Sequence, residues 1–457
     1  MATSRGGSPS TAPAAPVLWP LGGLREPNPP GRELPAVVGI ADLRATNAAA
    51  ILAAVRSADP HPRLSTLAEA AKLSRPTVEA IIEELTDCGL IEVAPAVSAR
   101  GQRSPGRPAR RFRFCPHAGF VIGVDVRARS VSACLADLDG RTVAVERRTV
   151  RADLGGPARV RAVTAVVRRA IDRSGADARR VWAATLGTPG LVDRSNTRIR
   201  QADNLKGWAE ADIVTTLRDT LGCPVAVEND ANLAALGEQW RGVTGAADEM
   251  VFVLLGDRLG AGVITGGRLL RGHRGAAGEI GFIRFPGSTS SQPGLEPLVP
   301  DAVASDGARR TGADIIRCAA AGDAHAVAAI TSYGRRLAAG IAPVLLALDP
   351  ALVVLGTSLF PVPGLTPAAE LLLSAAEEEA ASLLVDLPQW RLSALGDEAV
   401  ITGAVRFALS SVEEILRTRP TSLPTQGALG RTTGAKTGAK TGAKTGQETG
   451  PPVHRTR

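Results

Sequence analysis

A carboxylate between two amides lies near the middle of this 457-residue chain, in the stretch VENDAN at 227–232. The stretch follows an apolar run typical of a strand and precedes a helical pattern, which puts Asp230 where a strand meets a helix. A carboxylate can take a proton from a hydroxyl group as a general base, or accept a hydrogen bond from it. Asn229 or Asp230 can also cap the helix predicted over 231–240, and both roles can hold together.

Arginines are concentrated in a second stretch, SARGQRSPGRPARRFRF at 98–114. No acidic residue lies among its six arginines, which are at positions 100, 103, 107, 110, 111 and 113. Guanidinium groups suit phosphates and narrow minor grooves, and PGRPAR resembles the GRP minor-groove hook of small DNA-binding peptides. A run of charged residues alone is typical of a solvated surface. The residues that flank the arginines therefore decide between a solvated surface and a DNA-binding segment.

The residues before these arginines have the pattern of a helix-turn-helix. Helices are predicted over 45–58, over 66–71 with Ser65 as N-cap, and from Ser74 onward, with Pro76 in the first turn of the third. The predicted buried stripe of the third helix is Val78, Ile81, Ile82 and Leu85. This pattern favours DNA contact for the arginine stretch that follows it.

The third helix is the candidate recognition helix of a winged helix-turn-helix. Gly89 ends it, and the strand LIEV leads into the arginine stretch as the wing. The end that faces the groove is predicted to present Arg75, Thr77, Glu79 and Ala80. We predict that a double-stranded DNA operator is bound by Ser74, Arg75, Thr77, Arg103, Arg107 and Arg110.

Composition restricts the binding partner, the redox compartment and the membrane association that the chain can have. The formal net charge of +8 and the pI of about 9.8 favour a polyanionic partner only weakly, because much of the charge lies in the tails. Five cysteines without CxxC spacing indicate a reduced cytosolic protein. No continuous apolar run is long enough for a membrane span or a signal peptide. We therefore predict a cytoplasmic, nucleoid-associated protein with no membrane partner.

Four parts are predicted along the chain. They are a disordered N-terminal tail at 1–35, the winged helix-turn-helix domain at 36–115, an α/β body at 118–418 and a disordered basic tail at 419–457. The last part contains TGAK repeats, which either remain solvated or add non-specific attraction to DNA.

Several ordered motifs resemble the ROK family, named for repressors, open reading frames and sugar kinases. They are LSRPTV, GRPAR, GVDV, GTPGLVD, ADNLKGW, VENDANLAALGE, GAGVITGGRLLRG, GAAGEIGF and DPALVVLG, and they extend the resemblance over residues 40–418. The resemblance implies a two-lobed α/β body of the actin-like ATPase and sugar-kinase type. The helix-turn-helix is similar to that of the repressor branch, since the family's kinases usually lack one.

The phosphate-binding turns depart from the kinase pattern. Where the family's kinases carry DxGGT, this chain keeps Asp125 but has Arg127, Ala128 and Arg129, whose side chains prevent the close backbone approach that glycine permits. The second turn, GDRLGAG, brings the carboxylate of Asp257 to where a polyphosphate would lie. We predict that the chain is not an enzyme.

For the pocket, the resemblance implies binding of a sugar or sugar derivative without chemistry. The implied contacts are Asn204, Asn229, Asp230, Glu279 and Glu296. The family's zinc site is a His followed by a CxCGxxGCLE loop; here Phe282 takes the His position and the loop has no cysteine. We therefore predict no metal and no cofactor. A substitute metal pair of His273 and Glu279 is disfavoured.

The leading hypothesis is a DNA-binding transcriptional regulator, a repressor, that forms a homodimer or homotetramer and has an inactive sugar-kinase-like sensor. Two alternatives stay open at this stage. One is a carbohydrate kinase with an appended DNA-binding domain. The other is an effector-independent DNA-binding protein whose larger body serves only for dimerisation, an alternative that the replacement by Phe282 supports.

Overall fold

A computed structural model describes most of the two predicted bodies. The described residues are 40–95, 110–242, 247–256, 259–286, 302–303, 309–310, 312–357 and 366–423. Within them lie a helical head and two α/β lobes, which meet along a pair of helices.

The head is a three-helix unit with a two-stranded wing. Its elements are α1 (Ile40–Ser57), α2 (Leu64–Ala71), α3 (Arg75–Asp87), β1 (Ile91–Val93) and β2 (Phe112–Phe114). The predicted stripe of α3 is buried, and its N-cap is Ser74 as predicted. The predicted cap of α2 is wrong: the helix begins two residues earlier, after Arg63, so Ser65 lies inside it and no side chain caps it.

The first lobe is a mixed five-stranded sheet in the order β5-β4-β3-β6-β9. Its strands are β3 (Phe120–Val126), β4 (Ser130–Asp137), β5 (Thr142–Thr149), β6 (Val181–Thr188) and β9 (Val225–Asn229). A small hairpin lies beside it, formed by β7 (Leu191–Val192) and β8 (Ile199–Gln201). Its helices are α4 (Gly156–Ser174) and α5 (Ile213–Leu221). Antiparallel strands at one side and parallel strands at the other bring the ends of β3, β6 and β9 to one edge.

The second lobe repeats this plan in the order β12-β11-β10-β15-β16. Its strands are β10 (Met250–Leu255), β11 (Leu259–Thr265), β12 (Arg268–Leu269), β15 (Leu352–Thr357) and β16 (Gln389–Leu392), with a separate short pair of β13 (Ala302–Val303) and β14 (Arg309–Arg310). Its helices are α7 (Gly312–Ala320), α8 (Ala324–Leu348) and α9 (Thr366–Leu383). Two similar sheets in tandem agree with the predicted fold class.

Two helices fill the space between the sheets, α6 (Asp230–Arg241) and α10 (Ala399–Thr418). Helix α6 packs on β10 and β11, α10 packs on β3 and β6, and the two helices pack on each other. Their backbones approach closely at two glycines. A β-carbon at Gly403 would lie 1.7 Å from the Leu233 carbonyl oxygen, and one at Gly237 would lie 2.4 Å from that of Ala399. The lobes are therefore joined by a helix pair that tolerates no larger side chain there.

The head packs against the far end of α10. Ile51 and Leu52 of α1 share one apolar cluster with Val412 and Leu416 of α10. A short 3-10 helix, Pro420–Ser422, extends this contact, and Leu423 is buried in the same cluster. Folded chain thus continues past residue 419, where we predicted the start of the tail. The reason is that Pro420 and Leu423 cover apolar surface of the head.

Candidate functional site

One cavity opens at the edge where the strand ends of both lobes meet. Its volume is about 110 Å³, and it is lined by residues from β3, the β6–β7 turn, the start of α6, the β10–β11 hairpin and the segment before Phe282. This is the edge at which open α/β sheets bind ligands.

Four of the predicted sugar contacts come together in this cavity. Asn204, Asn229, Asp230 and Glu279 all line it, although they come from three separate stretches of the chain. The loop that carries Asn204 is anchored by the buried ring of Trp208, whose Nε1 donates to Thr188 Oγ1 at 2.9 Å. Glu296 lies outside the described residues.

Both polar atoms of the Asn229 side chain form hydrogen bonds within the protein. Its Oδ1 accepts from the backbone N–H of Asn232 at 3.1 Å and so caps α6, and its Nδ2 donates to the Gly190 carbonyl at 3.0 Å. The capping role that the sequence left open therefore belongs to Asn229. Asp230, the first residue of α6, accepts from the backbone N–H of Ala231 at 2.9 Å. The carboxylate of Asp230 is thus the better placed of the two for a ligand.

A buried carboxylate beneath them holds this corner in place. Glu228 is 2% exposed and accepts four hydrogen bonds. The donors are Asn196 Nδ2 at 3.0 Å, Asn232 Nδ2 at 2.9 Å, the Asn229 backbone N–H at 2.8 Å and Arg271 Nε at 2.7 Å. Sequence reasoning passed over Glu228 because a charged residue next to a strand end gives no sign of burial.

Arg127 occupies the place of the first phosphate turn and is held by two carboxylates. Its Nε donates to Asp125 Oδ2 at 2.7 Å, and the rest of its guanidinium group donates to the side chain and, at 2.6 Å, to the carbonyl of Asp397. Arg147 donates to the other Asp397 oxygen at 2.7 Å. Asp397 lies just before α10, so this ion-pair network joins the first sheet to the segment that follows the second. The side chains of Arg127 and Asp397 are each only 24% exposed.

The network was missed at the sequence level, because 270 positions separate Arg127 from Asp397. A second arginine was missed as well. Arg159 of α4 is fully buried and donates to the carbonyls of Arg127, Ala128 and Leu154, which fixes the turn after β3. An arginine in an amphipathic helix is usually exposed, so the sequence carried no signal for either role.

Carboxylates dominate the electrostatics of the cavity. Burial, together with the charges of Asp125 and Glu279, raises the pKa of Asp230 to about 7, against the lowering effects of the Ala231 N–H and Arg127. Burial likewise raises the pKa of Asp125, although Arg127 opposes the shift. The other oxygen of Asp125, Oδ1, is buried and has no hydrogen-bond partner within the described part of the chain. The described lining of the cavity is therefore predominantly acidic, and within it Asp125 Oδ1 is an acceptor without a described donor.

This shift predicts a pH-dependent stability that Asp230→Asn removes. The unfolded chain ionises Asp230 near about pH 4, whereas the folded protein keeps the proton up to about pH 7. The group's stabilising contribution is therefore lost as pH rises through this window. Relative to the wild type, Asp230→Asn should gain free energy of unfolding between about pH 4 and 7 and level off above. Urea denaturation across this range measures it, with exposed Asp219→Asn as control; a difference that is constant with pH would contradict it.

The rim of the cavity combines a constrained backbone with an aromatic ring. Gly278 has φ +87°, and a β-carbon there would lie 1.9 Å from the Ala261 carbonyl oxygen, so glycine brings the Glu279 segment against β11. Phe282, which replaces the family's zinc-binding His, lines the cavity and is 51% exposed. Within the described residues, no three His, Cys, Asp or Glu side chains converge as metal ligands would.

The candidate DNA-binding surface lies on the head. Ser74, Arg75 and Thr77 are exposed at the N-terminal end of α3, as are the other predicted groove residues, Glu79 and Ala80. Arg110 is exposed and lies over the ring of Phe112. Two further wing arginines form hydrogen bonds within the head instead. Arg111 donates to the His61 carbonyl at 2.6 Å and Arg113 to Glu92 at 2.7 Å. Arg103 and Arg107 lie outside the described residues.

The cap of α3 predicts a measurable cost for Ser74→Ala. Ser74 Oγ accepts from the Thr77 N–H at 3.3 Å and is 2.7 Å from Thr77 Oγ1. Loss of an N-cap hydroxyl typically costs about 1 kcal/mol of folding free energy. We expect that loss in chemical denaturation, and Ser65→Ala, which removes no cap, should change stability much less. Equal losses in both variants would show that the Ser74 cap contributes nothing.

Two family models match this chain. One, described as the ROK family, matches residues 121–411, more than half of the chain. The other, described as the IclR helix-turn-helix domain, matches residues 45–95. Among the described residues, no helix is both long and apolar enough to cross a membrane.

Individual relatives include both enzymes and regulators. A glucokinase from Halalkalibacterium halodurans is 29% identical over 227 residues, covering 43% of this chain and 67% of the relative. A xylose repressor from Caldicellulosiruptor bescii is 23% identical over 209 residues, covering 46% of this chain and only 51% of the repressor. A solved ROK family transcriptional regulator, a homologue of the E. coli MLC protein, shares the fold with a TM-score of 0.64 at 20% identity, over 83% of this chain and 100% of its own.

Proposed function

This chain belongs to the ROK family, and we propose that it is a DNA-binding transcriptional repressor whose kinase-like body binds a sugar or sugar derivative without phosphorylating it. The head, with a match to a helix-turn-helix model and an exposed polar N-terminus on α3, supports DNA binding. The names of the xylose repressor and of the structurally similar regulator agree with this role.

The ion-pair network of Arg127 is the observation that carries the non-enzymatic part of the proposal. In a sugar kinase, this turn must offer backbone N–H groups to the phosphates of a nucleotide. Here the guanidinium group lies at the turn and is neutralised by Asp125 and Asp397. A nucleotide would have to displace Arg127 from these contacts. Its phosphates would then face the carboxylates of Asp125 and Asp397 without their counter-charge.

Effector binding is proposed to act on DNA through α10. The helix has one end beside the cavity and the other beside α1. A ligand that draws the lobes together would shift α6 against α10 and so reorient the head. In a two-fold oligomer, dimer or tetramer, that shift would change the spacing of paired recognition helices on a pseudo-palindromic operator.

A mobility-shift titration tests the proposal. The full-length protein is titrated onto the DNA upstream of its own gene with unrelated competitor present, with and without a panel of sugars. We expect specific binding that one sugar releases. Arg75→Ala should weaken specific binding at least about tenfold, which corresponds to the loss of one base or phosphate contact. Arg161→Ala, on the exposed face of α4, should leave it unchanged.

Two outcomes would favour the alternatives. ATP turnover with any sugar in a coupled assay, abolished by Asp230→Asn, would make the chain a kinase with an appended head. Specific DNA binding that no metabolite alters, with no binding heats in calorimetry, would instead make it an effector-independent DNA-binding protein.

A further inference from the structure

The charge of the cavity restricts what it can bind. Among the described lining residues, the acidic ones are Asp125, Asp203, Asp230 and Glu279, and the basic one is Arg127. Arg127 already pairs with Asp125 and with Asp397 behind it. No positive charge among these residues is left to receive an anion, so a phosphorylated sugar would be repelled.

The same site has unused capacity for a hydrogen-bond donor. Asp125 is 2% exposed, yet its Oδ1 has no hydrogen-bond partner among the residues that the structure describes. A buried acceptor without a donor is costly, and a bound donor would remove that cost. Asp230 faces the same cavity and is close enough to sense the charges of Asp125 and Glu279. These groups create a local preference for a positively charged donor.

A metal ion does not fit this arrangement. A divalent cation needs several ligands around one point, and the described residues contain no such group of three. The carboxylates are instead distributed around a cavity of about 110 Å³ that Asn204 and Gln201 also line. Distributed acceptors and amides suit a small organic molecule with several hydroxyl groups and a cation.

Phe282 adds an apolar wall to this acidic cavity. Its ring is half exposed at the rim, where a zinc-binding His stands in the family pattern. An aromatic face attracts both the C–H surface of a sugar ring and an ammonium group. The combination of an aromatic wall with carboxylates is typical of sites for organic cations.

We propose that the effector is an amino sugar, or a similar polyol with a protonated amine, whose ammonium group binds between Asp125 and Asp230 near Glu279. The inference rests on the proposed sensor function and specifies its ligand class. The hydroxyl groups reach the amides of the cavity, and the ring lies against Phe282. Acetylation of the amine removes its positive charge, so the cavity should no longer prefer the amino sugar over the neutral sugar.

Calorimetry on the full-length protein tests this with matched sets of probes. Glucose, glucosamine, N-acetylglucosamine and glucose 6-phosphate form one set, and the corresponding galactose and mannose derivatives form two more. In at least one set, the free amine should bind about tenfold or more tightly than the neutral sugar, as expected for a charge-assisted hydrogen bond in a partly buried site. The N-acetyl and phosphorylated members should bind no better than the neutral sugar.

Variants separate charge recognition from general damage to the pocket. Asp230→Asn and Glu279→Gln preserve shape, so each should reduce the ratio of amine to neutral affinity several-fold while the variant still binds the neutral sugar. Asp219→Asn, which removes a carboxylate from the exposed face of α5, should leave the ratio unchanged. Tighter binding of a neutral or phosphorylated sugar would overturn the amine proposal and leave the sensor function standing. No binding by any probe in the three sets would overturn the amine proposal, and the sensor function falls with it only when the sugar panel of the mobility-shift titration also leaves DNA binding unchanged.

Discussion

Arg127→Ala should destabilise the full-length protein by about 3 kcal/mol in chemical denaturation. The substitution leaves Asp125, which is 2% exposed, without its counter-charge and frees Asp397 from its bidentate partner. Removal of one partner from a largely buried ion pair typically has this cost, because the remaining charge stays desolvated. Arg127→Lys retains the charge but lacks the planar fork, so it should restore only part of the loss.

Two arginines provide matched comparisons. Arg147 pairs with the same Asp397 from a position where its side chain is 47% exposed, and its substitution by alanine should cost at most about 1 kcal/mol. Arg151, paired with Asp153 on the open surface, should show no measurable change. If Arg127→Ala were as mild as Arg147→Ala, the network would be a surface feature and its role in joining the lobes would be lost.

Glu228→Ala should also cost about 3 kcal/mol, for a different reason. The substitution removes the acceptor of four hydrogen bonds. Asn196 Nδ2 keeps the Val227 carbonyl as an acceptor, but Arg271, whose side chain is 18% exposed, loses its charged partner. Each buried donor left unsatisfied is destabilising, and an unpaired cation more so. Because one of these donors is the Asn229 backbone, the start of α6 should also loosen, and hydrogen exchange at Asn229–Asn232 should accelerate.

A double substitution distinguishes the lost contacts from simple removal of volume. In Glu228→Ala/Arg271→Ala, no unpaired guanidinium remains, so the combined cost should be smaller than the sum of the two single costs by more than about 1 kcal/mol. Glu378→Ala, which breaks an exposed pair with Arg335, should stay within about 0.5 kcal/mol of the wild type. Additive costs for the Glu228 and Arg271 pair would mean that they are not coupled.

The fold was predictable wherever the pattern of a segment is local. The buried stripe of α3 follows from apolar spacing, and the two-lobed α/β body follows from the resemblance that GVDV and VENDAN help to carry. The start of α2 was predicted wrongly because Ser65 fits the N-cap preference, whereas the first helical hydrogen bond already runs from the Leu67 N–H to the Arg63 carbonyl. The end of the folded chain was missed because the segment Pro420–Ser422 packs against α1 and α3 of the distant head as well as against α10.

The sequence motifs predicted which residues line the candidate site, but they did not predict which residues pair with one another there. Asn204, Asp230 and Glu279 were identified together because the family pattern relates them, and they do line one cavity. Nothing in the sequence around Arg127 indicates Asp397, since an ion pair between two distant turns depends on the three-dimensional closure of both lobes. The electrostatic consequence, that the one basic residue of the described cavity lining is already paired, could be derived only after that pair was known.

The packing of the head on α10 limits how modular this protein can be. The head's apolar residues Ile51 and Leu52 share a core with Val412, Leu416 and Leu423 at the opposite end of the chain. A chimaera that exchanges only the N-terminal segment up to the wing would therefore pair a foreign α1 with an unmatched α10. Because the head and the last two turns of α10 share this core, we expect an exchange of the head to preserve stability only when those turns are exchanged with it.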